Sequence, residues 1–132
     1  MATIVNFEDL EIWQLAREQA KCFHQLQVST TLRKDFELKN QMNASSGSVM
    51  DCIAEGFERS GNKEFKNMLV IAKGSNGEFR SQLFRCVDRN HIESKEFNEL
   101  IALNFKLGKK LMNFIKYLQN SELTGQARKK GS

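Results

Sequence analysis

No proline interrupts this chain of 132 residues, and apolar side chains return every three or four positions along most of it. Proline ends or kinks helices because it lacks an N–H donor and clashes with the preceding turn. Without it, helix length is set by caps and turn residues alone. The punctuation to read is therefore Gly, Ser, Thr and Asn.

Read this way, the first helix spans about Phe7 to Gln27, with Asn6 as N-cap, acids at Glu8, Asp9 and Glu11, and a stripe of Leu10, Trp13, Ala16, Ala20 and Phe23. Ser29, Thr30 and Thr31 break it. A second helix begins near Lys34, carries Leu38, Met42, Ser45, Val49, Cys52, Ile53 and Gly56, and stops at Ser60-Gly61-Asn62. Its small-residue run Ala44 to Ser48 also suits a loop; the spacing that passes through it in register favours helix. The third helix starts after an Asn62 cap with the stripe Phe65, Met68, Leu69, Ala72, Ser75, Phe79, Leu83, Cys86 and Val87, ending at Asn90-His91. Gly74-Ser75-Asn76-Gly77 alone would be a turn. The periodicity survives it, so a continuous helix is expected, with the glycines facing the small patch of the second helix. Ser94 caps a fourth helix with Phe97, Leu100, Ile101, Leu107, Leu111, Ile115 and Leu118, and with Asn104 and Gly108 inside the stripe. It is expected to end near Asn120.

Four such segments with short connections predict an all-α fold, an up-down-up-down antiparallel four-helix bundle over residues 1–120. Residues 121–132, basic and without an apolar face, are expected to form a disordered tail. Ile12, Leu15, Ile71, Phe84, Leu103, Phe105, Met112, Phe114 and Tyr117 fall off the core stripes. A second apolar stripe implies a second buried surface, and hence self-association.

Chemistry-bearing sets are missing. Cys22, Cys52 and Cys86 are odd in number and lie in apolar runs, as core thiols in a reducing compartment do. No leader or apolar span is present, which predicts a cytoplasmic protein without a membrane partner. A di-iron bundle needs two Glu-x-x-His motifs, but Lys21 and Asp88 precede the only histidines, His24 and His91, by three residues. No nucleophile elbow, phosphate loop or Cys-x-x-Cys pair occurs. Glu55 and Glu78, beside small residues, are the carboxylates expected to be partly enclosed. Together they would suit acid–base work; with no further catalytic partner they read as ion pairs to Lys73, Arg59 or Arg80. The expectation is no enzyme, metal or cofactor.

Net charge is +4 and the isoelectric point near 9.1, which tilts the chain toward acidic partners. Lys66, Lys73 and Arg80 recur every seven residues, on one side of the third helix. Lys106, Lys109, Lys110 and Lys116 form a second group with Asn113 between, and Arg128, Lys129 and Lys130 a third. Lysines along a rigid helix can follow a phosphate backbone, RNA or DNA, without reading sequence. A mixed surface of 20 basic and 16 acidic residues is also what an ordinary solvated domain carries.

Three stretches resemble one family in combination: Phe7 to Trp13, Ser48 to Arg59 with Ile53-Ala54-Glu55-Gly56, and Ile71-Ala72-Lys73-Gly74-Ser75 followed by Glu78. They look like the four-helix bundle proteins encoded by intervening sequences of bacterial 23S rRNA genes, the S23 ribosomal protein family, over roughly residues 7–118. Cys52 stands where the family usually has Asn. The resemblance implies a barrel-like homo-oligomer, typically a pentamer, without enzymatic activity. It also implies kinship with the accessory protein of diversity-generating retroelements, which binds nucleic acid and a reverse transcriptase. Trp13 and Ile53 belong to the same motifs; Ala54, Gly56, Gly74 and Ser75 would serve close packing, and Glu55, Lys73 and Glu78 polar pairing. The leading expectation is a non-catalytic oligomer that binds structured RNA. The alternative is a scaffold or accessory subunit docking an acidic protein such as a reverse transcriptase.

Overall fold

The computed structural model describes residues 3–59 and 61–124. Among them the chain forms four α-helices, α1 (Glu11–Ser29), α2 (Phe36–Glu58), α3 (Asn62–Asp88) and α4 (Ser94–Thr124), with short 3-10 turns at Phe7–Asp9 and Thr31–Lys34. α1 and α3 each pack against both α2 and α4. The cycle α1, α2, α3, α4 closes on itself, the up-down-up-down arrangement that short connections demand.

The ends differ from the sequence expectation by a few residues. α1 begins at Glu11, not Phe7, because extended Leu10 separates it from the 3-10 turn, and Asn6 makes no side-chain cap bond. That turn buries Leu10 and brings Phe7 edge-on to Trp13 at 5.2 Å. At the other end, Thr30 Oγ1 donates to the Leu26 carbonyl at 2.8 Å, and Leu32 turns inward to full burial. α2 starts two residues beyond Lys34, at Phe36, where the Asp35 carboxylate accepts from the Leu38 amide. Gly61, not Asn62, holds the cap position of α3.

α3 closes through Asn90, whose φ of 60° is left-handed. The Asn90 and His91 amides donate to the Val87 and Cys86 carbonyls, the reciprocal pair that satisfies a helix C-terminus. Ser94 is the first residue of α4; the Glu93 amide donates to the Glu96 carboxylate at 2.8 Å, half of a capping box. α4 continues past Asn120 to Thr124, and the Ser121 hydroxyl donates to the Tyr117 carbonyl. The tail from residue 125 onward lies outside the described residues.

The core has two apolar compartments. One is built on Leu10, Val49, Ile53, Phe65, Leu69, Leu107 and Leu111, the other on Phe23, Leu32, Leu38, Met42, Phe79, Leu83 and Leu100. Ile12 and Leu15, which the periodicity left off the stripe, belong to the first; Trp13 and Ala20 sit at the half-buried edge instead. Between the compartments lies a polar layer. Gln19, Asn76 and Asn104 are almost wholly buried. Asn104 Nδ2 donates to Gln19 Oε1 (2.9 Å) and Asn76 Oδ1 (3.1 Å), Gln19 Nε2 donates to Asn76 Oδ1 (3.0 Å), and Asn76 Nδ2 donates to the Asn104 carbonyl (3.1 Å). Beside it Ser45 donates to Gln82 at 2.6 Å.

This layer explains the turn-like run in α3. Asn76 enters the network and Ser75 shares a 3.0 Å hydrogen bond with Ser48 of α2. Gly74 and Gly77 do not face α2 as expected; Gly74 is exposed, and a Cβ on either would meet nothing within 4 Å. The close approach of α2 and α3 is made by Gly56, where a Cβ would stand 2.7 Å from that of Met68.

Candidate nucleic-acid interface

α3 and α4 run antiparallel, and their register is pinned by Phe84 against Phe97 (5.0 Å), Asn76 against Asn104, and Phe65 against Phe114 (5.3 Å). The outer edge of this pair gathers most of the expected basic residues. Lys73 is exposed, Lys66 and Arg80 are half-buried, and on α4 Lys106, Lys109 and Lys116 are exposed around Asn113. From Ile101 to Asn120 the sequence of α4 contains no acidic residue.

The Arg80 guanidinium lies 4.8 Å over the ring of Phe105, itself 57% exposed. A cation held on an aromatic face keeps its charge and loses side-chain freedom. The surface therefore offers several exposed cations and one held against an exposed ring, a combination whose chemistry suits a phosphate backbone with a base against an aromatic.

Two expectations about this surface change. Lys110 leaves the group: its Nζ is 3.1 Å from Glu11, on the α1 side of α4. Arg128, Lys129 and Lys130 lie outside the described residues. The motif residues divide likewise. Ile53 is fully buried, Ala54 half-buried, and Gly56 close-packed. Trp13 is half-buried with the Arg17 guanidinium 5.7 Å over its ring. Glu55, in the last turn of α2, pairs with Arg59, the residue that caps that helix. Neither Glu55 nor Glu78 is enclosed, and Lys73 and Glu78 form no ion pair among the described residues, so their motif role in polar pairing is not met within one protomer. Cys52 makes a weak polar contact, its Sγ 3.7 Å from Ser48 Oγ.

The thiols differ from a uniform core set. Cys86 is buried, with its Sγ 3.3 Å from Met42 Sδ, and desolvation pushes its pKa up to about 12; Cys22 and Cys52 are half-buried. No group of three or more His, Cys, Asp or Glu among the described residues is placed to hold a metal, and no helix there is long and apolar enough to cross a membrane.

A polar cluster the sequence did not reveal ties the start of α2 to the end of α3. Asp35 Oδ2 receives His91 Nε2 at 2.8 Å and Arg89 at 2.9 Å, while His91 Nδ1 is 2.8 Å from the Thr31 hydroxyl. A neutral ring carrying its proton on Nε2 satisfies both contacts. The hydrogen bond from His91, then that from Arg89, lowers the Asp35 pKa to about 2. Asp35 was the missed signal, an acid one residue before a helical stripe. Arg17 and Lys21 add two exposed cations on the outer face of α1, outside the basic groups that the charge pattern marks on α3 and α4.

The family model described as 23S rRNA-intervening sequence protein matches residues 8–113. That range runs from the turn before α1 well into α4 and includes Lys66, Lys73, Arg80, Lys106 and Lys109. No curated protein matches the chain.

Proposed function

The chain belongs to the 23S rRNA-intervening sequence protein family, and from that premise we propose that it is a non-catalytic, self-associating protein that binds structured RNA through the α3/α4 edge. The observation that carries the reading is the acid-free stretch of α4 set beside Lys73 and the Arg80–Phe105 pair. Such a surface engages phosphates without reading sequence, so its affinity falls steeply with salt. The family's name makes RNA the first anion to test.

Self-association has its own support. Val70 and Ile71 are 51% and 52% exposed on α3, flanking the bare backbone of Gly74 and Gly77. A partner surface could approach that strip closely and cover both side chains.

The direct test is fluorescence anisotropy of a structured RNA titrated with wild-type protein and with K73E/K106E/K109E. Charge reversal at these exposed positions should weaken binding at least tenfold. It should also flatten the dependence of log K on log salt by roughly two to three, at about 0.7–0.9 per lost phosphate contact. Unchanged affinity and slope would remove the α3/α4 edge from the reading. Retention of an acidic protein after nuclease treatment would assign the edge to protein docking instead.

A further inference from the structure

Arg17 and Lys21 lie one turn apart on the outer face of α1, and His24 follows three residues on. With Ala20, Gln25 and Met50 of α2 they line a groove of about 390 Å³ between the two helices. The floor is apolar and the rim cationic or neutral; no acid lines it. Glu18 faces a neighbouring groove on the other side of the Arg17–Lys21 ridge. The Arg17 guanidinium is oriented by the Trp13 ring without being neutralised. Neither Arg17 nor Lys21 has an ion-pair partner among the described residues.

Because α1 packs on α2 and α4, and α3 on the same two helices, the α1/α2 groove lies on the side of the bundle opposite the α3/α4 edge. We infer that this groove is a second nucleic-acid contact, taking a single-stranded segment of RNA. Phosphates lie along Arg17 and Lys21, about 6 Å apart along the helix axis, and a sugar or base covers Ala20 and Met50. The groove is shallow and open to solvent, so the segment lies across it and not inside it. A groove lined with cations tracks a single-stranded backbone. The inference rests on the RNA-binding reading and adds a second, opposed face, so each protomer engages RNA on two sides.

The experiment uses a structured RNA with a single-stranded extension that carries 4-thiouridine, crosslinked to the full chain and mapped by peptide mass spectrometry, with binding followed by anisotropy. Crosslinks are expected within residues 13–25 of α1 and at Met50. R17E/K21E, at two exposed positions, should weaken binding at least tenfold and lower the salt slope by roughly one to two. R17K/K21R should restore both, which a merely structural effect would not. Combination with K73E/K106E/K109E should weaken binding further than either set alone. If wild-type protein binds RNA while R17E/K21E keeps its affinity and slope, the groove is overturned and the α3/α4 reading stands. If R17E/K21E abolishes binding and K73E/K106E/K109E does not, the groove stands and the α3/α4 edge falls. Wild-type protein that binds no RNA overturns both.

Discussion

Replacing Asn104 by leucine keeps the side chain close in volume but removes the amide that serves Gln19 and Asn76. Gln19 Oε1 then loses its donor inside the bundle. A buried acceptor left without a donor costs about 1–3 kcal/mol, and a fall of that size in unfolding free energy by urea titration is expected for Asn104→Leu. Replacing Gln19, Asn76 and Asn104 together by leucine removes donors and acceptors alike, and should destabilise less than the single change. A larger loss in the triple variant would refute this account of the layer. Asp35 gives a residue-scale prediction in pH. Its folded pKa of about 2 is below the ordinary carboxylate value near 4. Its contribution to stability is thus complete above about pH 4 and is lost as pH falls toward 2. Asp35→Asn keeps a good N-cap but no charge, so its unfolding midpoint should fall less than that of the wild type between pH 4 and 2. Equal acid dependence in the two proteins would mean that Asp35 does not drive it. The partners of neither residue were readable beforehand, since Gln19 lies 85 positions from Asn104 and His91 lies 56 from Asp35, brought near only by packing.

Helix α3 separates two uses of glycine. At Gly56 on α2 an added methyl would collide with Met68 of α3, so Gly56→Ala should cost about 1–3 kcal/mol by forcing the helices apart. At Gly74 an added methyl meets nothing in the protomer, so Gly74→Ala should raise the stability of the isolated protomer by up to about 1 kcal/mol through helix propensity. In the self-associated protein the same methyl should weaken association. Thermal unfolding over a range of protein concentrations reads both effects. The continuity of α3 was legible in the sequence because three-four spacing passes unbroken from Phe65 through Ala72 to Phe79. Which side of it the glycines occupy was not. Ala, Ser, Asn and Gly all fit a close helix contact, and the choice among them was made by Asn76 finding Gln19 and Asn104.

At the scale of the whole molecule, the exposed strip of Val70 and Ile71 predicts a solution mass above the 15.2 kDa of one chain. Light scattering should show Ile71→Glu shifting that mass toward the protomer's. A wild-type protein of protomer mass would contradict the self-association proposal. The basic surfaces make the complementary prediction, that reversing charge at Lys73, Lys106 and Lys109 changes RNA affinity without changing that mass. What the amino-acid sequence determined by itself was the helical period, the approximate lengths and the order of the elements, because these follow from spacing, caps and the lack of proline within a few turns of chain. Short connections then left the antiparallel bundle as the natural packing. Only the tertiary structure decided which polar residues would be buried together, that Ile12 and Leu15 rather than Trp13 and Ala20 face the core, and that Lys110 turns to Glu11 while Arg80 settles on Phe105. It also set the Arg17–Lys21 groove on the side of the bundle opposite the α3/α4 edge. Periodicity assigns a residue to a helix face but not to the neighbour that face will meet, and charge has functional meaning only once that neighbour is known.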